Sequence, residues 1–268
     1  MAVETEIETD PARWLDVLAG SHDALVELVG DLSSGDLRHP SYCSKWSVSE
    51  VLSHLGSGAE IFKATLDAVV AGGPAPGPDR FPPIWDRWDA MTPEEQTDGF
   101  VAADGELLEA LVNLGDGLHD LELTLWGRLH VDAAGYLGLR LNEHALHSWD
   151  VAVAFDPSAT VAADAVALLV DRLPLVASRA GHAEAAGEDR PYAVTVETTG
   201  PVRRFGVSVD DAVGIAPVRG DGVGADVELG AEAMLRLVFG RLDPDHAPLV
   251  TVGQLPTVDR LRRVFSGF

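Results

Sequence analysis

Two histidines and a glutamate in this chain of 268 residues have the types and spacing of metal ligands. Glu143 and His147 lie four residues apart in "RLNEHALHSWD", so on a helix their side chains share one face. A carboxylate and an imidazole at this spacing can hold one divalent cation, and helical bundles build such sites from facing helices. The third ligand must come from another helix. His54 in "WSVSEVLSHLG" is our candidate, because it falls close to the apolar stripe of its own predicted helix.

These ligands would supply two nitrogen atoms and one oxygen atom, as in many catalytic zinc centres, and would leave a position for water or substrate. We predict that Asp150 orients His147 through its free ring nitrogen. The alternatives are a core role for His54, a solvated Glu143–His147 pair, a surface role for Asp150, and His144 as a surface residue or rival ligand. The other histidines have no comparable partner at helical spacing, and we expect structural or exposed roles for His22, His39, His119, His130, His182 and His246.

Local signals predict the helices that must position these ligands. Ser47 and Glu50 form a capping box, so the helix that carries His54 is expected to begin at Ser47. Pro11 and Pro93 each follow a residue that can cap a helix. The predicted long helices cover about residues 11–32, 47–72, 93–114 and 132–154. Four amphipathic helices of this length indicate a helical bundle.

The pattern of the chain changes in its C-terminal part. A helix over 161–180 is predicted to be interrupted at Pro174, and two alternating segments around a Gly-Pro turn predict a hairpin over 192–210. A short strand in "ADVELG", a helix over 231–239, a strand over 248–253 and a helix over 258–265 are expected to follow. We therefore predict the fold class α plus α+β, with a helical domain over 1–156 and an α+β domain over 157–268. The passage 72–83, rich in proline and glycine, is predicted to be a loop.

Composition excludes several classes of partner. The 43 acidic and 19 basic residues give a net charge of −24, which repels nucleic acid and anionic membranes. No apolar run reaches the roughly 18 residues of a membrane helix, and the acidic N-terminus lacks the features of a signal peptide, so we expect a cytoplasmic protein. Cys43 is the only cysteine, so a thiol used in chemistry is either Cys43 or an external one.

The segments "KWSVSEVLSHL" and "RLNEHALHSWDV" together resemble the mycothiol-dependent maleylpyruvate isomerase family. The resemblance implies an actinobacterial protein with a DinB-like four-helix bundle and a C-terminal domain of the sterol-carrier-protein (SCP2-like) α+β type. It also implies that His54, Glu143 and His147 bind a metal, usually Zn²⁺. "GAEAMLRLVFGRL" resembles the family's second-domain helix that ends in Gly-Arg, which makes Arg241 a candidate catalytic residue that contacts the thiol cofactor or an acidic substrate. Its alternative role is to interact with the end of that helix.

The resemblance implies a metal-dependent enzyme that uses mycothiol as thiol cosubstrate and acts on a small electrophile, as a cis-trans isomerase or an S-transferase. Arg80 and Arg87 lie in or near the passage where the cleft should open, and they are candidates for binding the cofactor or a substrate carboxylate. We expect a monomer or a homodimer. Two alternatives stay open: a metal-dependent hydrolase or lyase that needs no thiol, and a non-catalytic protein whose second domain binds an apolar ligand.

Overall fold

The computed structural model describes residues 7–219, 224–246 and 255–267, which fall into two compact units. The first unit covers Glu8–Ala165 and is mostly helical. The second contains the described residues from Val166 onward together with Ile7, and it includes a sheet. The predicted fold class, a helical region followed by an α+β region, is confirmed. The division between the units falls after Ala165, nine residues beyond the domain boundary that we predicted after residue 156.

The first unit contains the long helices that the capping signals predict. Its helices and strands are α1 (Pro11–Gly30), α2 (Ser34–Leu37), α3 (Val48–Val70), α4 (Pro82–Asp89), α5 (Pro93–Val112), β1 (Glu122–Leu125), β2 (Leu129–Asp132) and α6 (Ala133–Ala152). Helix α3 packs mainly against α5, and α1 packs mainly against α6. Among the described residues, no helix is both long and apolar enough to cross a membrane.

Side-chain caps explain where the helices of the site begin. The Ser47 hydroxyl accepts the Glu50 backbone N–H at 3.3 Å, and the Glu50 carboxylate accepts the Ser47 N–H at 2.7 Å, so the predicted capping box is present. Asp132 caps α6 by accepting the Gly135 N–H at 2.7 Å. Below the caps, buried apolar side chains of the long helices form the core, among them Trp14, Leu18, Leu52, Leu55, Phe100, Leu107 and Leu141.

Two short segments of the first unit differ from the sequence predictions. The passage 72–83 is not a loop throughout, because a 3-10 turn covers Pro78–Arg80 and α4 begins at Pro82. Proline at the first position of a helix lacks only an N–H that would be unpaired there, so these prolines start helices instead of excluding them. Strands β1 and β2, which we did not predict, form an antiparallel hairpin directly before α6.

The second unit contains a small sheet with helices before and after it. Helix α7 (Ala163–Leu169) crosses the division, and α8 (Leu173–Ala180), β3 (Tyr192–Thr199), β4 (Arg203–Val209), β5 (Val213–Pro217), β6 (Val227–Gly230), α9 (Ala231–Val238) and α10 (Leu255–Val264) follow. The described strands are ordered β5-β4-β3-β6, with β3 and β4 antiparallel and β6 parallel to β3. The predicted hairpin and the interruption near Pro174 are present, and β5 was not predicted. The strand predicted over 248–253 lies outside the described residues. The SCP2-like character of this unit stays a prediction.

Gly56 allows α4 to pack closely against α3, the helix that carries His54. A Cβ atom at position 56 would overlap the six-membered ring of Trp88, which is buried on α4. We expect Gly56→Ala to lower the free energy of unfolding by about 1–3 kcal/mol, the usual range for overpacking a core. Urea unfolding followed by circular dichroism measures the change.

Gly20 on α1 provides the matched control, because a Cβ atom there would meet nothing within 4 Å. Gly20→Ala should therefore be neutral or stabilising by up to about 1 kcal/mol, since alanine favours helices. Equal unfolding free energies for the two variants would contradict the close packing of Trp88 against α3.

Candidate metal centre

Side chains from α3 and α6 converge at one point of the helical unit. The Nε2 atom of His54 lies 3.2 Å from Oε2 of Glu143, and Nε2 of His147 lies 3.6 Å from the same oxygen. The three ligand atoms all lie within 4.8 Å of one another. Two bonds of about 2.0–2.1 Å that meet at a tetrahedral angle separate their ligand atoms by about 3.3 Å. The spacing therefore fits a single small divalent ion.

The site is closed on one side and open on the other. The side chains of His54 and Glu143 are 39% and 45% exposed, whereas that of His147 is 11% exposed. The rings of His54 and His147 pack edge to face with centroids 4.8 Å apart. The side chains of His54 and Glu143 are therefore partly accessible from solvent.

Trp46 lies against both histidines, and sequence reasoning did not identify it. Its ring centroid is 5.0 Å from that of His54 and 6.0 Å from that of His147. It directly precedes Ser47, the capping residue of α3, so the cap that starts the helix also fixes the position of Trp46 beside the two histidines. This position directly before the capping residue is the sequence signal that could have identified Trp46.

Asp150 holds the side of His147 that faces away from the converging ligands. The Asp150 side chain is fully buried, and its Oδ2 atom lies 2.8 Å from Nδ1 of His147. The Cys43 thiol donates to the same oxygen at 3.1 Å. The Tyr42 N–H also donates to the backbone oxygen of Asp150 at 3.1 Å, so the loop before α3 is fixed to the end of α6. Because Nδ1 is held by Asp150, Nε2 is left to face His54 and Glu143.

Without a metal, the surroundings stabilise the charged forms of both His147 and Glu143. Burial would lower the pKa of His147, but hydrogen bonds with Asp150, Cys43 and Glu143 outweigh it and raise that pKa to about 10. Burial would raise the pKa of Glu143, but hydrogen bonds with His147 and His54 hold it well below its usual range. At neutral pH and without a metal, the pair is therefore imidazolium and carboxylate. A cation that binds Nε2 must displace the proton of His147.

The three arginines that we predicted as binding residues have different surroundings. Arg80 is exposed and lines a groove of about 530 Å³ with apolar neighbours that include Ile61 and Phe81. Arg87 forms an ion pair with Glu60 of α3, whose carboxylate also accepts the indole N–H of Trp88 at 3.0 Å.

Arg241 is buried in the second unit, where its guanidinium donates to the backbone oxygen of Phe239 at 3.0 Å. Phe239 is the residue that caps α9. This contact with the end of α9 corresponds to the alternative role for Arg241. Its predicted role at a substrate or cofactor stays a prediction.

A second polar cluster lies in the core of the bundle. Asp104 of α5 pairs with Arg140 of α6, and its Oδ2 atom lies 2.7 Å from His22 Nδ1 and 3.2 Å from His144 Nε2. His144 is fully buried, so it is neither a surface residue nor a ligand beside Glu143. Because these side chains come from three helices, no spacing along the chain predicts their contact.

The long helices and the partly exposed group of His54, Glu143 and His147 define this chain as a helical-bundle protein with a candidate metal centre. The sequence profile described as "Mycothiol maleylpyruvate isomerase N-terminal domain" matches residues 18–152, just over half of the chain, and spans α3, α5 and α6. The chain belongs to the mycothiol maleylpyruvate isomerase family, as the sequence resemblance predicted.

Solved structures support the same fold over most of the chain. The crystal structure of the mycothiol-dependent maleylpyruvate isomerase matches with a TM-score of 0.63 and 14% sequence identity, over 87% of this chain and 90% of that one. A histidine-to-alanine mutant of the same isomerase matches with the same values. No curated protein sequence matches the chain. At this identity the structural match establishes the fold alone.

Proposed function

We propose that this protein is a metal-dependent enzyme that uses mycothiol to transform a small electrophile, by cis-trans isomerisation or by S-transfer. The observation that carries the proposal is the convergence of His54, Glu143 and His147 on a partly open face of the bundle. It lies inside the region that matches the family named for mycothiol and maleylpyruvate. The net charge of −24 supports a small-molecule substrate over nucleic acid or an anionic membrane as partner.

The residues present fit a zinc ion by donor type and by spacing. Nitrogen from two histidines and oxygen from one carboxylate is the ligand set of many zinc enzymes. A zinc ion held there would supply Lewis acidity that lowers the pKa of a bound thiol, so that thiolate is present at neutral pH. Asp150 keeps a proton on Nδ1 of His147, so that Nε2 faces the centre. Trp46 packs against both imidazoles.

The groove beside Arg80 supplies a place for the rest of the electrophile. Ile61, which lines it, is seven residues after His54 on α3, so both lie on the same face about 10 Å apart along the helix. The lining side chains of Ala64, Phe81 and Ile84 would contact an apolar part of the substrate. Arg80 would bind its carboxylate. Arg241 remains a proposed contact for the thiol or an acidic substrate.

Calorimetric titration tests the proposal. We expect mycothiol to bind the zinc-loaded protein and release a proton, and not to bind the protein freed of metal by chelation. The exposed hairpin residue His130, which contacts Thr124, provides a control, and His130→Ala should bind as the unmodified protein does. Equal binding with and without metal, or no binding to the zinc-loaded protein, would refute thiol activation at this centre.

The Asp150→Asn variant tests how the buried carboxylate supports the centre. An amide can accept the Nδ1–H of His147 but carries no charge, and loss of such a supporting group usually lowers metal affinity by about 10–100-fold. Competition for zinc with a chromophoric chelator measures the change.

Asp156→Asn is the control for that variant, since this exposed carboxylate accepts from Ser158 and lies outside the group. Its zinc affinity should equal that of the unmodified protein. Unchanged affinity in a folded Asp150→Asn variant would show that Asp150 does not support the centre.

A further inference from the structure

A second group of candidate ligand atoms includes Nδ1 of His147, the ring nitrogen that faces away from Glu143. Sγ of Cys43 is 3.1 Å from Oδ2 of Asp150 and 4.0 Å from Nδ1 of His147, and those last two atoms are 2.8 Å apart. All three lie within 4.8 Å of one another. We propose that Cys43, His147 and Asp150 form a second metal site, selective for thiophilic divalent ions such as Cd²⁺ and Zn²⁺.

The geometry requires only small movements of the side chains. Bonds of about 2.3 Å to sulfur and 2.0–2.2 Å to nitrogen and oxygen place tetrahedral ligand atoms about 3.4–3.6 Å apart. The observed separations of 2.8, 3.1 and 4.0 Å depart from that spacing by about half an ångström. Cys43 lies in the loop before α3 and is half-buried, so part of the residue is accessible to solvent.

Charge balance favours this group as a site. When a divalent ion binds, the thiol of Cys43 and Nδ1 of His147 each give up a proton to solvent. The thiolate and the buried carboxylate of Asp150 then neutralise the two positive charges of the ion. A thiolate ligand also distinguishes this site from the His54–Glu143–His147 group, because sulfur favours soft metals.

The third candidate group among the described residues does not fit a divalent ion, because its charges would not balance. In the His22–Asp104–His144 cluster, Arg140 already neutralises Asp104. A divalent ion there would leave two uncompensated positive charges in the core, where unpaired charge is unfavourable.

The two sites on His147 are linked. An ion at Cys43 takes both Nδ1 of His147 and Oδ2 of Asp150, and so removes the hydrogen bond that orients His147 toward Glu143. To hold an ion on each ring nitrogen at once, His147 would have to lose both ring protons. A thiophilic metal in excess should therefore disturb the first centre through its ligand, without contact with the substrate.

Titration of the metal-free protein with Cd²⁺, in buffer without added thiol, tests the second site. The unmodified protein should develop the ultraviolet charge-transfer band of a cadmium–thiolate bond, and Cys43→Ser should not. His54→Ala removes a ligand of the first centre only, so the band should remain. Asp150→Asn should lower the cadmium affinity measured from this band at least tenfold, because the proposed site needs the carboxylate as well as the sulfur.

Absence of the band in the unmodified protein would overturn the proposal. An unchanged cadmium affinity in Asp150→Asn would also overturn the proposal, because it would show that the thiol binds the ion without the carboxylate. If Cys43→Ser does not fold, ¹¹³Cd magnetic resonance of the unmodified protein decides, since a resonance at the shift of a sulfur ligand is expected and nitrogen or oxygen shifts alone would refute the site. Because His54→Ala keeps the second site, failure of the proposed function and failure of this inference give different results.

Discussion

Replacement of His147 by alanine is expected to abolish tight zinc binding and reduce mycothiol-dependent turnover to background. His147 contacts Glu143 through Nε2 and Asp150 through Nδ1, so its loss removes a ligand and also one of the partners of a buried carboxylate. Loss of a supporting residue lowers metal affinity by about 10–100-fold, and loss of a direct ligand should exceed that range. Zinc content after dialysis and the rates of maleylpyruvate isomerisation and of mycothiol conjugation with an electrophile measure both effects.

His39→Ala is the control for this variant, because His39 is exposed and its Nδ1 contacts the backbone oxygen of Pro40. It should retain zinc and activity. Glu143→Gln keeps the shape of the carboxylate without its charge and should also lose zinc. Full zinc occupancy in a folded His147→Ala variant would exclude the proposed centre.

Local signals were sufficient to predict the helices that carry the candidate ligands. Ser47, Thr92 and Asp132 each accept a backbone N–H three residues further on, so their effect is complete within one turn and can be read from the sequence. The four-residue spacing of Glu143 and His147 is local in the same sense. Their contact with His54 required a hypothesis about packing, which rested on the position of His54 near the apolar stripe of its helix and was then supported by the family resemblance.

Contacts between distant segments could not be predicted in this way. Cys43 lies beside Asp150 because the loop before α3 is bonded to the end of α6, a separation of more than one hundred residues. The periodicity of the sequence carries no information about such a loop. The residues that the loop contacts depend on how the helices pack, so they are known only from the structure.

The β1–β2 hairpin was missed for a different reason. Its strands are four residues long, and its turn uses Trp126 and Gly127, which both have positive φ angles of 52° and 69°. The usual signal for such a turn is Asn-Gly or Asp-Gly, because tryptophan rarely adopts this conformation. The alternation of Leu123 and Leu125 was therefore too short and too weakly bounded to indicate a strand.

Asp104→Asn is expected to lower the free energy of unfolding by about 3–5 kcal/mol, the usual result when one partner of a buried ion pair is removed. Asp104 and Arg140 are each about 1% exposed, and the guanidinium of Arg140 also donates to the backbone oxygen of Leu55. The variant leaves the charge of Arg140 in the core without its carboxylate. Urea unfolding measures the loss, and the exposed Asp98→Asn on the same helix should stay within about 0.5 kcal/mol of the unmodified protein.

The pH dependence of stability separates this electrostatic role from simple packing. Burial would raise the pKa of Asp104, but Arg140 and hydrogen bonds with His144 and His22 hold it well below its usual range. A lowered pKa in the folded state gives stability that is present above the unfolded pKa of about 3.9 and is lost as the pH falls toward the folded value. The unmodified protein should therefore lose stability below about pH 4 more steeply than Asp104→Asn.

Replacement of both partners decides how the bundle uses this ion pair. Asp104→Leu combined with Arg140→Met removes both charges and fills the space with apolar atoms, and such exchanges are often neutral or stabilising. The double variant should thus recover most of the stability that Asp104→Asn loses. Since Arg140 lies three residues before Glu143 on α6, zinc affinity of the double variant shows whether the pair also orients the metal ligands. Recovered stability with weakened zinc binding would assign the buried pair to the geometry of the centre, whereas recovery of both would limit its role to folding.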